Sequence, residues 1–468
     1  MRELLSFLPQ LPQRLQAGLA TSGAPHRGLL SISMPLALPS GAKALPPDSP
    51  HWFYWNEPAR DCCRLGLGGI DLCQAAGPRR LETLAKALAR ETRSWERQGS
   101  EAGAAGPLLF AAFAFDPEDP MQDAWQGLPN ALLSLPELLL RRDGDTWSLT
   151  FSCRTGGPSE AILARWLELA RQLPACLQPT ASPPRDLRWR QREQPPRGQW
   201  VRLAADAAAA CAVPPLDKIV LARRLRLETN QGFPPRPLLA GLIREFPSCH
   251  LFAAALHGRV LVSASPERLL SCRGGDLLCD AVGGTLSRAD ELLPAQQANT
   301  PKLMREHRLV VEAIARALSP VCGSLNYPEQ PRLLRLRDLL HLWTEVRAQA
   351  KPGQNLLSLA ARLHPTPAVN GAPRAAARDW LRRREPFRRG WYAGGGGWLD
   401  PAGDGDLAVL LRSALLDAQG AELYAGAGIL SDSDPQAEYA ETELKLRTIQ
   451  RALRGASAAS TPRRAAGE

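Results

Sequence analysis

The chain has 468 residues, enough for more than one average domain, and its 44% hydrophobic and 22% charged residues suit a protein with a large core. No apolar run reaches the ~18 residues of a membrane-spanning helix. The net charge is +10, but the basic residues are scattered and no zinc-finger, KH or RRM pattern goes with them, so charge alone implies no nucleic-acid partner.

The first twenty residues, MRELLSFLPQLPQRLQAGLA, break up their apolar side chains with Gln, Pro and Arg. They lack the apolar stretch and cleavage site of a secretory signal and predict the first helix of a cytoplasmic protein. Strand-like runs follow at 108–115 (LLFAAFAF) and 131–153, the latter turning at Asp143-Gly144, a favoured hairpin dipeptide. The stretch 178–198 is rich in Pro and Arg and reads as a linker between a half at 1–177 and a half at 199–454. Beyond the linker, strand-like runs recur at 218–227, 250–264, 269–281 and 407–429, the last turning near Gln419-Gly420. Helical periodicity is clearest at Trp200–Cys211, Leu303–Leu318, Leu356–Leu363 and Ala437–Leu453. The tail 455–468 reads as disordered. Ten cysteines are present, none in CxxC spacing, and Cys211, Cys249 and Cys322 lie in apolar stretches. That pattern predicts buried thiols rather than disulfides or a zinc site.

Hairpins mixed with helices define an α+β (α/β) fold with antiparallel sheets covered by helices. LPELLLRRDGD around Glu137 echoes SPERLLSCRGGD around Glu267, with FAA upstream of each. One echo is weak evidence of duplication, since hairpin chemistry repeats by chance.

Several residues can carry chemistry. Lys218 opens the apolar run KIVLAR; it is either a solvated edge charge or, in a desolvating cleft, a base. Glu267 in SPERLL is either a local cap or, in an apolar pocket, a general acid near neutral pH. Gly283 and Gly284 before Thr285 make a turn or admit a ligand close to the backbone. Glu306 and Glu441 lie on separate helices and suit a hard Mg²⁺ ion, although Glu441 also has an i,i+4 partner in Lys445. Glu438, Glu441 and Lys445 share one helix face. LHPTPAVNG (363–371), RGWYAGGGGW (389–398) and YAGAGI (424–429) read as loops or tight turns that can offer amides to anions.

In order, KIVLAR, SPERL, GGT, the EH of the Glu306 helix, HLWT, LHPTPAVNG, RGWYAG, LLRSA, YAGAGI and EYAET resemble the chorismate-binding family, covering about residues 199–453. The resemblance implies two subdomains with large antiparallel sheets flanked by helices and an active site in the cleft between them. It implies chorismate as substrate, Mg²⁺ as cofactor and no nucleic-acid or membrane partner, and we expect a monomer.

Within that family the residues resemble the isochorismate synthase branch. Lys218 stands where water-adding members carry their general base, and Gly283 stands where aminodeoxychorismate synthases carry a reactive lysine. Ala368 and Val369 differ from the salicylate synthase pattern. By the resemblance, Lys218 activates water for attack at C2, and Glu267 protonates the departing C4 hydroxyl. Glu306 and Glu441 bind Mg²⁺, with Glu438 behind them. Tyr392 and Arg412 grip the enolpyruvyl carboxylate, Gly284, Thr285, Gly426 and Gly428 touch substrate, His341 lies near the ring, and Lys445 supports the metal side. The product would feed menaquinone or a catechol or salicylate siderophore. The alternatives are a salicylate synthase or a chorismate-binding protein of weakened activity.

The chain also departs from the family. Leu303 replaces an acid one turn before Glu306, which implies a weaker hold on Mg²⁺. The segment between Arg288 and Lys302 is short, Glu345 stands where proline is common, and GGGG at 394–397 implies a looser wall.

Overall fold

Alternation along one strand sets the layering. In Trp52–Glu57, Phe53 and Trp55 enter one apolar core while Trp52 and Tyr54 enter another, and all four are buried. A strand covered on both faces needs layers on both sides. The computed structural model of the chain describes residues 2–99, 105–180, 188–287, 301–337 and 339–458.

Among the described residues the strands form two sheets, of thirteen and ten strands. The larger runs from Arg190–Gln194 through Lys218–Glu228, Gly420–Ile429, Ser413–Asp417, Arg259–Ser265, His250–Leu256, Trp52–Glu57 and Cys62–Leu67. It continues through Leu138–Asp143, Thr146–Arg154 and Leu29–Leu36 to Trp95–Gln98, with Gly371–Ala372 beside Lys218–Ile219. The smaller runs from Cys322–Asn326 through Leu339–Ala350, Asp276–Ser287, Arg268–Arg273, Gly405–Val409, Gly395–Leu399 and Leu109–Phe113 to Ala131–Leu135 and Ile70–Ala75, with Arg332–Arg335 beside Leu339–Ala350. Each sheet therefore takes strands from both sides of residues 178–198. Helices Leu11–Ala20, Ser159–Ala170 and Pro235–Glu245 back the larger sheet. Helices Arg80–Thr92, Pro301–Leu318 and Leu356–Leu363 back the smaller.

Two antiparallel strand pairs pass from one sheet to the other. Cys62–Leu67 and Leu138–Asp143 pair in the larger sheet, and their continuations Ile70–Ala75 and Ala131–Leu135 pair in the smaller. In the same way Arg259–Ser265 pairs with Ser413–Asp417, then Arg268–Arg273 with Gly405–Val409. The sequence echo falls on these crossings: Pro136-Glu137 lies at the first and Pro266-Glu267 at the second. Glu137 forms an ion pair with Arg165 at the surface, whereas Glu267 is buried.

Several expectations change. The first helix is split into Arg2–Phe7 and Leu11–Ala20 around a 3-10 turn carrying Pro9. The runs 131–153 and 407–429 each divide between the sheets, so only Leu138–Arg154 and Ser413–Ile429 contain hairpins. Within the stretch read as a linker, Arg190–Gln194 is an edge strand. The last helix runs from Pro435 to Ala458, four residues into the stretch read as tail; 459–468 lie outside the described residues, as does most of the short segment 288–302. YAGAGI and Gly395–Gly397 are strand rather than loop. A Cβ on Gly395 would meet the Phe113 ring and one on Gly396 would sit 3.0 Å from Phe252, so these glycines admit close packing and do not loosen the wall. All ten cysteines are free thiols, as expected.

The last helix is fastened to the Lys218 strand by Arg223, whose side chain is fully buried. Its Nε donates to Thr442 Oγ1 at 2.8 Å, its Nη1 donates to Tyr439 Oη at 3.1 Å, and its Nη2 pairs with Glu443. Removing one member of such a network strands the others. Glu443 keeps 37% exposure, so Arg223→Met should cost about 2–4 kcal/mol, less than loss of a fully buried pair. Urea unfolding of the variant against the parent chain measures it.

Candidate active site

The floor of the site is a strip of strand without side chains. Val220 lies opposite Gly428, and Ala222 opposite Gly426. Lys218, two residues before Val220, shares its face. A Cβ on Gly428 would sit 2.5 Å from Glu306 Oε1 and 2.8 Å from Lys218 Cε; one on Gly426 would sit 3.2 Å from Tyr392 Oη. Into this space Lys218 Nζ reaches Glu306 Oε1 at 3.0 Å, with Lys218 1% exposed. Glu306 comes from the helix Pro301–Leu318. Burial alone would push its carboxyl up, but Lys218, then Lys445 and Lys302, hold it below the usual range.

The second sheet crossing supplies the facing wall. Between the two ladders the chain leaves regular pairing, and Glu267 and Arg412 both reach the cavity from here. The Glu267 carbonyl accepts from Val409 N at 3.1 Å, and its N–H donates to Ser265 Oγ at 3.2 Å. Burial, reinforced by nearby Asp280 and opposed by Lys218 and Lys445, pushes the Glu267 carboxyl up to about 8. Arg412 adopts φ of 46°, a left-handed conformation uncommon for a side-chain-bearing residue. Its Nη2 lies 3.4 Å from His341 Nε2, and His341 Nδ1 lies 3.3 Å from Thr285 Oγ1. Burial, Arg412 and Lys445 hold His341 well below its ordinary value, so the imidazole is neutral. A guanidinium only donates, so in the Arg412 contact Nε2 is the acceptor, which leaves the imidazole proton on Nδ1, the side of Thr285 and the Gly284 backbone.

Gly284 is a bulge at φ 72°, where the pairing of Asp276–Ser287 with Leu339–Ala350 shifts register between Gly283 and Thr285. A Cβ there would sit 3.3 Å from the Leu303 carbonyl, so helix and bulge pack backbone to backbone. Tyr392 stacks on Tyr424 with centroids 5.0 Å apart, and burial pushes its hydroxyl above the usual range.

On the last helix, Lys445 Nζ contacts Glu441 Oε1 at 2.6 Å and donates to the Gly426 carbonyl at 2.8 Å. One turn earlier, Glu438 takes 2.9 Å and 2.8 Å contacts from Lys302 and Ser433. Burial and the neighbouring Glu441 push the Glu438 carboxyl up. The expected residues Lys218, Glu267, Gly284, Thr285, Glu306, His341, Tyr392, Arg412, Gly426, Gly428, Glu441 and Lys445 line one cavity. Glu438 is not among its lining residues. Sequence reading missed Asp280 and Lys302; Asp280 shares a strand face with Val282, which does line the cavity, a period-2 signal.

The donor set suits a small hard cation. Two carboxylates from two helices reach the same cavity, and Mg²⁺ is commonly held by one or two carboxylates together with water and substrate oxygens. Among the described residues no three His, Cys, Asp or Glu side chains form a fuller cage.

The family described as chorismate binding enzyme matches residues 24–454. The salicylate biosynthesis isochorismate synthase of Pseudomonas aeruginosa is 36% identical over 419 residues, 86% of this chain and 84% of that protein. The isochorismate synthase MenF of Bacillus subtilis is 29% identical over 86% of this chain and 88% of its own. The structure of MenF, the menaquinone-specific isochorismate synthase from Escherichia coli, superposes with a TM-score of 0.78 at 27% identity, covering 96% of this chain and 100% of that one. The chain belongs to the chorismate-binding enzyme family. Within that family it is of the isochorismate synthase type.

Gly428→Ala tests the geometry. The added methyl must displace Glu306 or Lys218, and misplacement by about 1 Å can cost ~100-fold in rate. The expected outcome is a loss of about that size in kcat/KM on chorismate with little change in the thermal melt; unchanged kcat/KM would contradict the packing.

Proposed function

We propose that the chain converts chorismate to isochorismate by adding water at C2 and expelling the C4 hydroxyl. The observation that carries this reading is the pairing of an amine and a raised carboxyl, Lys218 and Glu267, on the walls of one cavity. Such a pair can take a proton on one side of a ring and give one on the other. Lys218, once its ammonium has given its proton to solvent, accepts a proton from the attacking water as oxygen bonds to C2. The ring electrons shift as the C4–O bond breaks, and Glu267 protonates the departing oxygen. One water enters and one leaves, so product and substrate are isomers.

Arg412 and Tyr392 bind the enolpyruvyl carboxylate, the guanidinium by charge-assisted hydrogen bonds. Neutral His341 orients Arg412 without adding charge. Glu306 and Glu441 are the ligands we assign to Mg²⁺, which when bound would neutralise the ring carboxylate. Lys302 engages Glu438, and Leu303 packs over Gly284, so the outer layer of that ion site carries less negative charge than the family pattern implies.

Among the described residues no helix is long and apolar enough to cross a membrane, and a cytoplasmic monomer is part of this reading. The product would enter menaquinone or siderophore synthesis; relatives named for salicylate and for menaquinone are both similar to this chain.

Product analysis with chorismate and Mg²⁺ tests the assignment. Lys218→Ala and Glu267→Gln should each lower kcat/KM by about 10²–10⁴-fold while keeping the fold. Turnover at the parent rate in Lys218→Ala would overturn the base assignment, and pyruvate release by the parent chain would make it a salicylate synthase. The acid must be protonated to act. Its proton leaves as pH rises through about 8, so kcat/KM should decline on the alkaline side around that pH. A pH–rate profile reads this directly.

A further inference from the structure

Asp280 lies behind the hinge that carries Glu267. It is buried on the strand Asp276–Ser287, and its two oxygens have different tasks. Oδ2 accepts the N–H of Arg268, the residue next to Glu267, at 2.9 Å. Oδ1 accepts Trp343 Nε1 at 3.0 Å from the adjacent strand. Acceptance at both oxygens is the pattern of an ionised carboxylate. No ion pair to Asp280 is present among the described residues. The acid is therefore held in place by neutral donors, and its charge is left to act on its surroundings.

We propose that Asp280 is a positioning residue for Glu267: it fixes the hinge that aims the carboxyl, and its negative charge keeps the proton there until the leaving hydroxyl takes it. The inference rests on the reading of Glu267 as general acid.

A buried like charge beside a carboxyl favours its neutral form. Burial and Asp280 act in that direction, while Lys218 from the floor strand and Lys445 from the last helix act against it. Those two ammonium groups are themselves engaged, with Glu306 at 3.0 Å and Glu441 at 2.6 Å, so their pull on Glu267 is shared. On the other side, Arg412 is the cation at the paired crossing, and Glu345, across the ladder from Asp280, is bound by Arg347. An amide at position 280 would keep one acceptor and lose the charge. The Trp343 donor must then go as well, or it faces an amide N–H₂.

The experiment compares Trp343→Phe with the double variant Asp280→Asn/Trp343→Phe, in saturating Mg²⁺. Trp343→Phe keeps the charge and should keep the alkaline limb of kcat/KM where the parent has it. In the double variant the limb should move to lower pH. For a displacement of one pH unit, a fall of about fivefold relative to Trp343→Phe is expected at pH 8 and of about tenfold at pH 9 and above, with agreement within about twofold at pH 6. A limb that stays in place, or a uniform loss at every pH, would reduce Asp280 to a structural residue and overturn the proposal. If the double variant does not fold, Asp280→Asn alone is read against the parent by the same criterion. Glu267→Gln separates the two layers: parent-like turnover there removes the general acid itself, whereas an inactive Glu267→Gln with an unmoved limb removes only the role of Asp280.

Discussion

A strand inside a sheet is committed: its backbone is paired on both sides and its side chains must alternate between faces. A residue can depart from that alternation and turn toward a cleft at the sheet's margin where the ladder is interrupted. The crossing of the strand pair 259–273 and 405–417 from one sheet to the other is such an interruption. It frees Glu267 and Arg412 together, and each is anchored across the crossing by a backbone bond, Val409 N–H to the Glu267 carbonyl and Ala264 N–H to the Arg412 carbonyl. The remainder of the site is arranged around this point. The floor strand 218–228 reaches it through 420–429 and 413–417, the Gly284 bulge faces it from the smaller sheet, and two helices bring carboxylates across the opening.

Charge balance is the second constraint. Removing an ion from water without a partner costs several kcal/mol. The carboxylates of Glu306 and Glu441 are each matched by a lysine, and Arg412 is set against a neutral imidazole. The site therefore holds its charges in separable pairs before any ligand arrives. In the reading proposed above, a dianionic substrate and a divalent cation would enter by exchanging partners, with little change in net charge. Glu267 differs from the other acids because no cation bonds to it closely and Asp280 lies behind it.

The first strand crossing, at Glu137, has the same wiring without the chemistry. Gly68 and Pro136-Glu137 lie where Gly-free and Pro-containing turns lie at the active crossing, but Glu137 points to Arg165 near solvent. The likeness of the two Pro-Glu segments in the sequence is thus a likeness of hinges. Burial decides which hinge carries a reactive group, and burial comes from the helices and loops laid over it.

Sequence alone determined what depends on near neighbours. The helix face shared by Glu438, Glu441 and Lys445, the turns at Asp143-Gly144 and Gln419-Gly420, the span Leu356–Leu363 and the free thiols all follow from local periodicity or composition. Strands such as Trp52–Glu57 were not legible, because burial on both faces erases the alternation that marks a strand. The glycines of YAGAGI and GGGG read as turns because a bare backbone is most often a bend; only the neighbouring Lys218, Glu306 and Phe113 side chains show that these are strands cleared for close contact. The meeting of Lys218, Glu267, Glu306 and Glu441, and the placing of Asp280 behind the hinge, were decided by pairings between residues far apart in the chain, and periodicity carries no information about which distant strand will be the partner.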